Sequence, residues 1–187
     1  TTRRAASVAP ATVVEPFLED VDWTVVDTLT KQLTLNEDGA GRTRAEFDVA
    51  TAPAGSDTPF EEQSLGEMTR MVDRHAEWRV VNLGSDNEWS PRKRAQHVQA
   101  VFDNVFRYGR LQQYLREPDV EDVSVVGHDN VMVTKTTGRR EQRPALAEHG
   151  ADLEQMVSDI ASWRGRNFSR PGGHLDLDIG GARLSAT

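Results

Sequence analysis

The chain has no cysteine in its 187 residues. Disulfides, thiolate zinc sites and a cysteine nucleophile are therefore excluded, and stability has to come from packing. Long apolar runs are missing as well. Pairs such as Val25-Val26 and Val125-Val126 fall far short of the run of about 20 residues that crosses a bilayer. Residues 1–7 are followed by no apolar segment of signal-peptide length, so a cytoplasmic location is expected. Lysine is scarce: only Lys31, Lys93 and Lys135 occur among 22 basic residues, and none of them follows a glycine. The glycine-rich loop that cradles phosphates with a lysine and a hydroxyl is absent, and the chain alone is expected not to hydrolyse ATP by that route. No histidine pair has zinc spacing and no serine sits in a nucleophile elbow, which removes support for hydrolase readings. A net charge of −8 argues against broad nucleic-acid binding, because neutralising phosphates needs a basic surface.

What is present is the balance of a globular protein, 37% hydrophobic and 28% charged, in a chain long enough for one ordinary domain or for a small domain behind a helical extension. Residues 1–56 read as a tail, a helix and a linker. The helix begins near Asp22, with Val25, Val26, Leu29 and Leu33 at spacings of three and four, and stops at Asn36. A short strand is possible over 44–49 in the glycine-interrupted linker. Residues 57–109 read as a helical extension. Asp57 or Thr58 caps a helix with Pro59 in its first turn and Leu65, Met68, Val72 and Ala76 as its stripe. Ser90-Pro91 opens another, with Val98, Val101, Phe102, Val105 and Phe106 as its buried side until Gly109.

Residues 110–187 change character and read as a small α+β domain. Two β-branched runs, 123–126 and 131–134, flank Gly127 as an antiparallel hairpin, and a third strand follows Gly138. Leu153, Met156, Val157 and Ile160 make an amphipathic helix. A last hairpin turns at Gly180-Gly181 between 175–178 and 182–185. Leu111, Leu115, Val123, Val125, Val131 and Val133 are the expected core, with Ser124 and Met132 on the other side of the sheet. Leu115→Ala is expected to cost about 2–5 kcal/mol.

One ordered phrase exceeds generic patterning. Gly109 precedes a short amphipathic helix bearing Leu111 and Leu115, then come the turn at Glu117-Pro118-Asp119, the alternating valines Val123 and Val125, the turn at Gly127 and a second strand with Val131 and Val133. It resembles the N-terminal domain of the type II/type IV secretion ATPases, closest to the branch serving tight-adherence pili and conjugation. The likeness extends over residues 90–187. Asp176, Gly181 and Arg183 match that family's last hairpin, while its turn proline and acidic turn residue are absent and the turn is one residue shorter.

The resemblance implies a PAS-like fold, a small antiparallel sheet backed by helices after a helical N-terminal extension. It also implies a place in a ring, a hexamer, at the inner face of the membrane, working with secretion or pilus platform proteins. ATP and magnesium would be used by the full-length parent, whose catalytic domain is expected beyond Thr187, and no cofactor by this segment. It further implies that Arg183 reaches the terminal phosphates across a domain cleft, with Arg166 and Arg170 as further nucleotide candidates. The alternative for Arg183 is an exposed strand arginine, and for the whole domain a non-enzymatic interaction module.

Two other constellations invite a site. His174, Asp176 and Asp178 alternate on one strand face, but a rise near 3.3 Å per residue spreads them over about 13 Å, too far for one ion, so a solvated strand face is expected. Arg92, Lys93, Arg94, Arg107, Arg110 and Arg116 concentrate positive charge on and after one helix. They read as a solvated face, with contact to an acidic subunit or membrane lipid as the alternative.

Overall fold

The computed structural model describes residues 18, 20–36, 59–163, 175–179 and 182–186. The expected strand over 44–49, the cap at Asp57 or Thr58 and the turn at Gly180-Gly181 lie outside them.

Among the described residues, the first three helices surround one core. Helix α1 spans Trp23–Asn36. Asp22 starts it, its Oδ1 accepting the backbone N–H groups of Thr24 at 3.1 Å and Val25 at 3.3 Å, which satisfies donors that no helical carbonyl reaches. Helix α2 spans Pro59–Leu83 and α3 Pro91–Phe106. Ser90 caps α3 by accepting the Lys93 N–H at 3.2 Å, with Pro91 in the first turn. Val25, Val26 and Leu29 of α1 bury against Met68, Val72 and Ala76 of α2, Val101 and Phe106 of α3, and the intervening Trp89.

The buried face of α3 is rotated from the one its apolar residues suggest. Val98, Phe102 and Val105 are only partly buried, whereas Gln96, His97, Ala100 and Asp103 are buried. The helix also stops before Gly109, because the chain turns extended at Arg107. Gly109, with φ 56°, then opens a tight turn over Gly109–Leu111. Only glycine suits it: the backbone is left-handed, and a Cβ would lie 2.8 Å from Asn104 Oδ1.

The second half is the α+β unit that the sequence predicts. Helix α4 (Gln112–Leu115) leads into β1 (Val120–Val126), β2 (Asn130–Lys135) and β3 (Arg140–Arg143), followed by α5 (Gly150–Trp163), β4 (Leu175–Ile179) and β5 (Ala182–Ala186). The sheet order is β3-β2-β1-β5-β4. Both hairpins are antiparallel, but β5 lies parallel to β1, with Val123 opposite Leu184, so the sheet is mixed. The chain leaves the β1–β3 meander through α5, and β4 runs out along the edge before β5 returns beside β1.

Val123, Val125, Val131, Val133 and Leu184 share one face. They are buried with Leu111 and Tyr114 and with Leu153, Val157 and Ile160 of α5. Ser124 and Met132 occupy the opposite face, as alternation requires. Leu115 departs from expectation: it packs against this core but is only partly buried. Among the described residues no helix is long and apolar enough to cross a membrane.

Candidate functional site

Of the three arginines proposed for nucleotide, Arg166 and Arg170 lie outside the described residues. Arg183 lies on β5, on the sheet face turned away from the helices, opposite Asp122 of β1 and Asp178 of β4. Leu184 takes the core position next to it, so Arg183 has to point outward. Its side chain is 64% exposed and forks onto Asp176, Nε donating to Oδ1 at 2.6 Å and a second guanidinium nitrogen to Oδ2. The Asp176 hydrogen bonds hold the guanidinium still more firmly in its charged form. Partial burial pushes the Asp122 carboxyl up, against the pull of Arg183. Arg183 therefore stands among acids on an open face, with Arg140 also acting on Asp122.

The alternating His174, Asp176 and Asp178 do not assemble a metal site in what is described. His174 is outside it, and Asp176 is committed to Arg183. Among the described residues no group of three His, Cys, Asp or Glu side chains is placed to hold an ion.

Most of the basic residues around α3 are engaged within the fold, while Arg92 stays exposed. Arg94 pairs with Asp73 and Lys93 with Asp20, both at 3.3 Å. Arg107 lies over the Phe102 ring and Arg110 over the Trp23 ring. Arg116 donates to the buried Asp103, one contact being 2.5 Å. Acids before and within α1, in α2 and in α3 thus face Lys93, Arg94, Arg110 and Arg116 within the fold, which corrects the expectation of a solvated face for these four. The pairings are invisible in sequence because the partners of Lys93 and Arg94 come from other elements, and because Asp103 reads as an ordinary polar position of a helix.

Arg110 overlooks a cleft of about 510 Å³ between α1 and α5, whose walls include Thr24, Asp27, Lys31, Asp152 and Asp159. Arg110 lies 3.9 Å from both Asp27 and Glu148. Burial raises the Asp27 pKa despite Arg110 and the hydrogen bond from Asn104. The cleft carries both signs of charge, Lys31 and Arg110 against Asp27, Asp152 and Asp159.

At the other end of the sheet Glu117 gathers Arg143 (2.9 and 2.7 Å) and Lys135 (2.7 Å). Burial works against the carboxylate, but the Arg143 and Lys135 hydrogen bonds outweigh it and hold Glu117 below its ordinary range. Beside it Tyr114, fully buried, donates its hydroxyl to the Pro144 carbonyl at 2.9 Å. Burial pushes its pKa up from 10.0 to about 12. The raised value means that Tyr114 contributes stability that is fully present below pH 10.0 and is lost as pH rises towards about 12. Phenolate absorbance should therefore show a late tyrosine step that disappears in Tyr114→Phe. Ionisation of Tyr114 near pH 10 with the native circular dichroism intact would contradict this.

No protein-family model matches the chain, and no curated protein matches it either.

Proposed function

We propose that the chain is the ring-forming, nucleotide-cleft-closing N-terminal domain of a secretion or pilus-assembly ATPase. The observation that carries this reading is the convergence of its separate motif pieces on one sheet. The phrase from Gly109 to Val133 supplies α4, β1 and β2, and the hairpin matched at Asp176 and Arg183 supplies β4 and β5, of which β5 docks in parallel register against β1. Two of the three matched residues of that hairpin, Asp176 and Arg183, also meet in space.

ATP with magnesium is the group the parent would bind. The Arg183 guanidinium fits one edge of a phosphate, because its two outward nitrogens already grip a carboxylate in the forked geometry that phosphate oxygens also accept. A single guanidinium does not cradle a nucleotide. The loop that holds phosphate and magnesium belongs to the catalytic domain, and Arg183 adds positive charge where transfer develops negative charge. Closure of the ring on ATP would then pass to platform proteins at the inner membrane face. A non-enzymatic interaction module is the second reading, favoured by the same ion pair, since Asp176 and Asp122 already balance Arg183.

Hydrolysis by the full-length protein separates them. Arg183→Ala should lower turnover more than ADP affinity, and Arg183→Lys should restore it only in part, because lysine keeps the charge without the fork. Equal activity of wild type and both variants would leave Arg183 an ordinary surface residue. A coding sequence with no phosphate-binding loop within about 100 residues after Thr187 would favour the interaction module.

A further inference from the structure

His97 is fully buried on α3. Its Nδ1 is 2.8 Å from the Lys93 carbonyl, and its Nε2 accepts the backbone N–H of Asp22 at 3.0 Å. A carbonyl only accepts, so the proton resides on Nδ1 and Nε2 keeps its lone pair. The residue bonded to Nε2 is the one whose carboxylate caps α1. Imidazole, cap and helix start thus form one chain of contacts.

The imidazole has little room for a proton. It stacks on Trp89 with ring centroids 3.9 Å apart, and Trp89 in turn faces Arg79 of α2 at 5.6 Å, Lys93 of α3 at 5.8 Å and the His75 ring at 5.5 Å. Asp20 and Asp22, from the segment before α1, are the acids that oppose these cations, and Asp20 is already paired with Lys93. A proton on Nε2 would set one donor against another at the Asp22 amide.

We infer that His97 is an acid-sensitive latch that sets how often α1 detaches from α3, independently of the folding of the sheet unit. Val25, Val26 and Leu29 keep α1 docked most of the time in either protonation state, so the latch governs the frequency of opening rather than the mean structure. Opening would remove the α1 wall, with Thr24, Asp27 and Lys31, from the cleft over α5.

The sign follows from geometry and burial together. Burial, before any charge effect, lowers the His97 pKa from the ordinary 6.5. Docking strength is then fully present above pH 6.5 and is lost as pH falls towards the lowered value. Across that window the opening constant should rise by up to about tenfold per pH unit.

Hydrogen exchange on the whole chain, corrected for intrinsic rates, tests it between pH 7.5 and 5. Amides of 22–36 should lose protection by about tenfold or more relative to those of β1 and β2, and His97→Gln, which accepts at Nε2's place but takes no proton, should flatten the response. His75 also has a lowered pKa, so His75→Gln serves as the control and should leave the response intact. Should His97→Gln prove unstable, nitrogen NMR of the wild-type ring must show the Nδ1–H tautomer and titrate with α1 opening. Simultaneous loss of protection in α1 and the sheet, an unchanged response in His97→Gln, a response abolished by His75→Gln, or a ring that titrates apart from opening would each overturn the latch.

Discussion

Asp103→Ala should lower stability by about 3–5 kcal/mol, the cost of breaking a buried ion pair by removing one partner. Asp103 is fully buried on α3, where it accepts from Arg116 just after α4 and from Gln99 at 3.0 Å. It ties the three-helix core to the start of the sheet unit. The pair is not a large net gain in itself. Burial dominates and holds the Asp103 carboxyl above its ordinary range in spite of the Arg116 and Gln99 hydrogen bonds, so taking the charge out of water costs more than the pairing returns. The loss in Asp103→Ala comes instead from the Arg116 guanidinium, left 17% exposed with no carboxylate. Arg116→Ala should cost a similar amount by leaving the buried carboxylate without its guanidinium. Replacing both, as in Asp103→Leu with Arg116→Met, should recover most of the loss, because no uncompensated charge remains. Denaturant melts of the four proteins decide it. Single variants within about 1 kcal/mol of wild type would show that water already screens the pair.

Leu111→Ala should be the next most damaging change, at about 2–5 kcal/mol, and clearly worse than Leu115→Ala. Leu111 is completely buried between the turn after α3 and the valine face of the sheet, whereas Leu115 only packs against that core from its edge. A truncated Leu111 leaves a cavity bounded by rigid strands and α5, which collapse poorly, whereas solvent and neighbouring chains can fill the space beside Leu115. The sequence places Leu111 and Leu115 in the core alike, and the structure separates them. Thermal melts of the two variants in parallel check the order, and an equal or larger loss for Leu115→Ala would mean that α4 docks more deeply than described.

The sequence by itself determined the local elements. Helices α1, α2, α3 and α5 follow from apolar residues three and four apart, and both hairpins from alternation flanking glycine. The core assignments Val123, Val125, Val131 and Val133 hold because a pleat has a period of two and one buried valine places the others. The outward position of Arg183 next to Leu184 is legible for the same reason.

What only the tertiary structure decided are the relations between distant residues. The parallel pairing of β5 with β1 places Arg183 beside Asp122, and no local pattern encodes which strand a hairpin will join. The rotated face of α3 buries Gln96, His97 and Asp103 where periodicity selects Val98, Phe102 and Val105. A polar residue is buried when a partner elsewhere completes its hydrogen bonds, as the Asp22 amide does for His97 and Arg116 for Asp103. Such a partner acts through space rather than along the chain, so a reading by period assigns the residue to solvent until folding brings the two together.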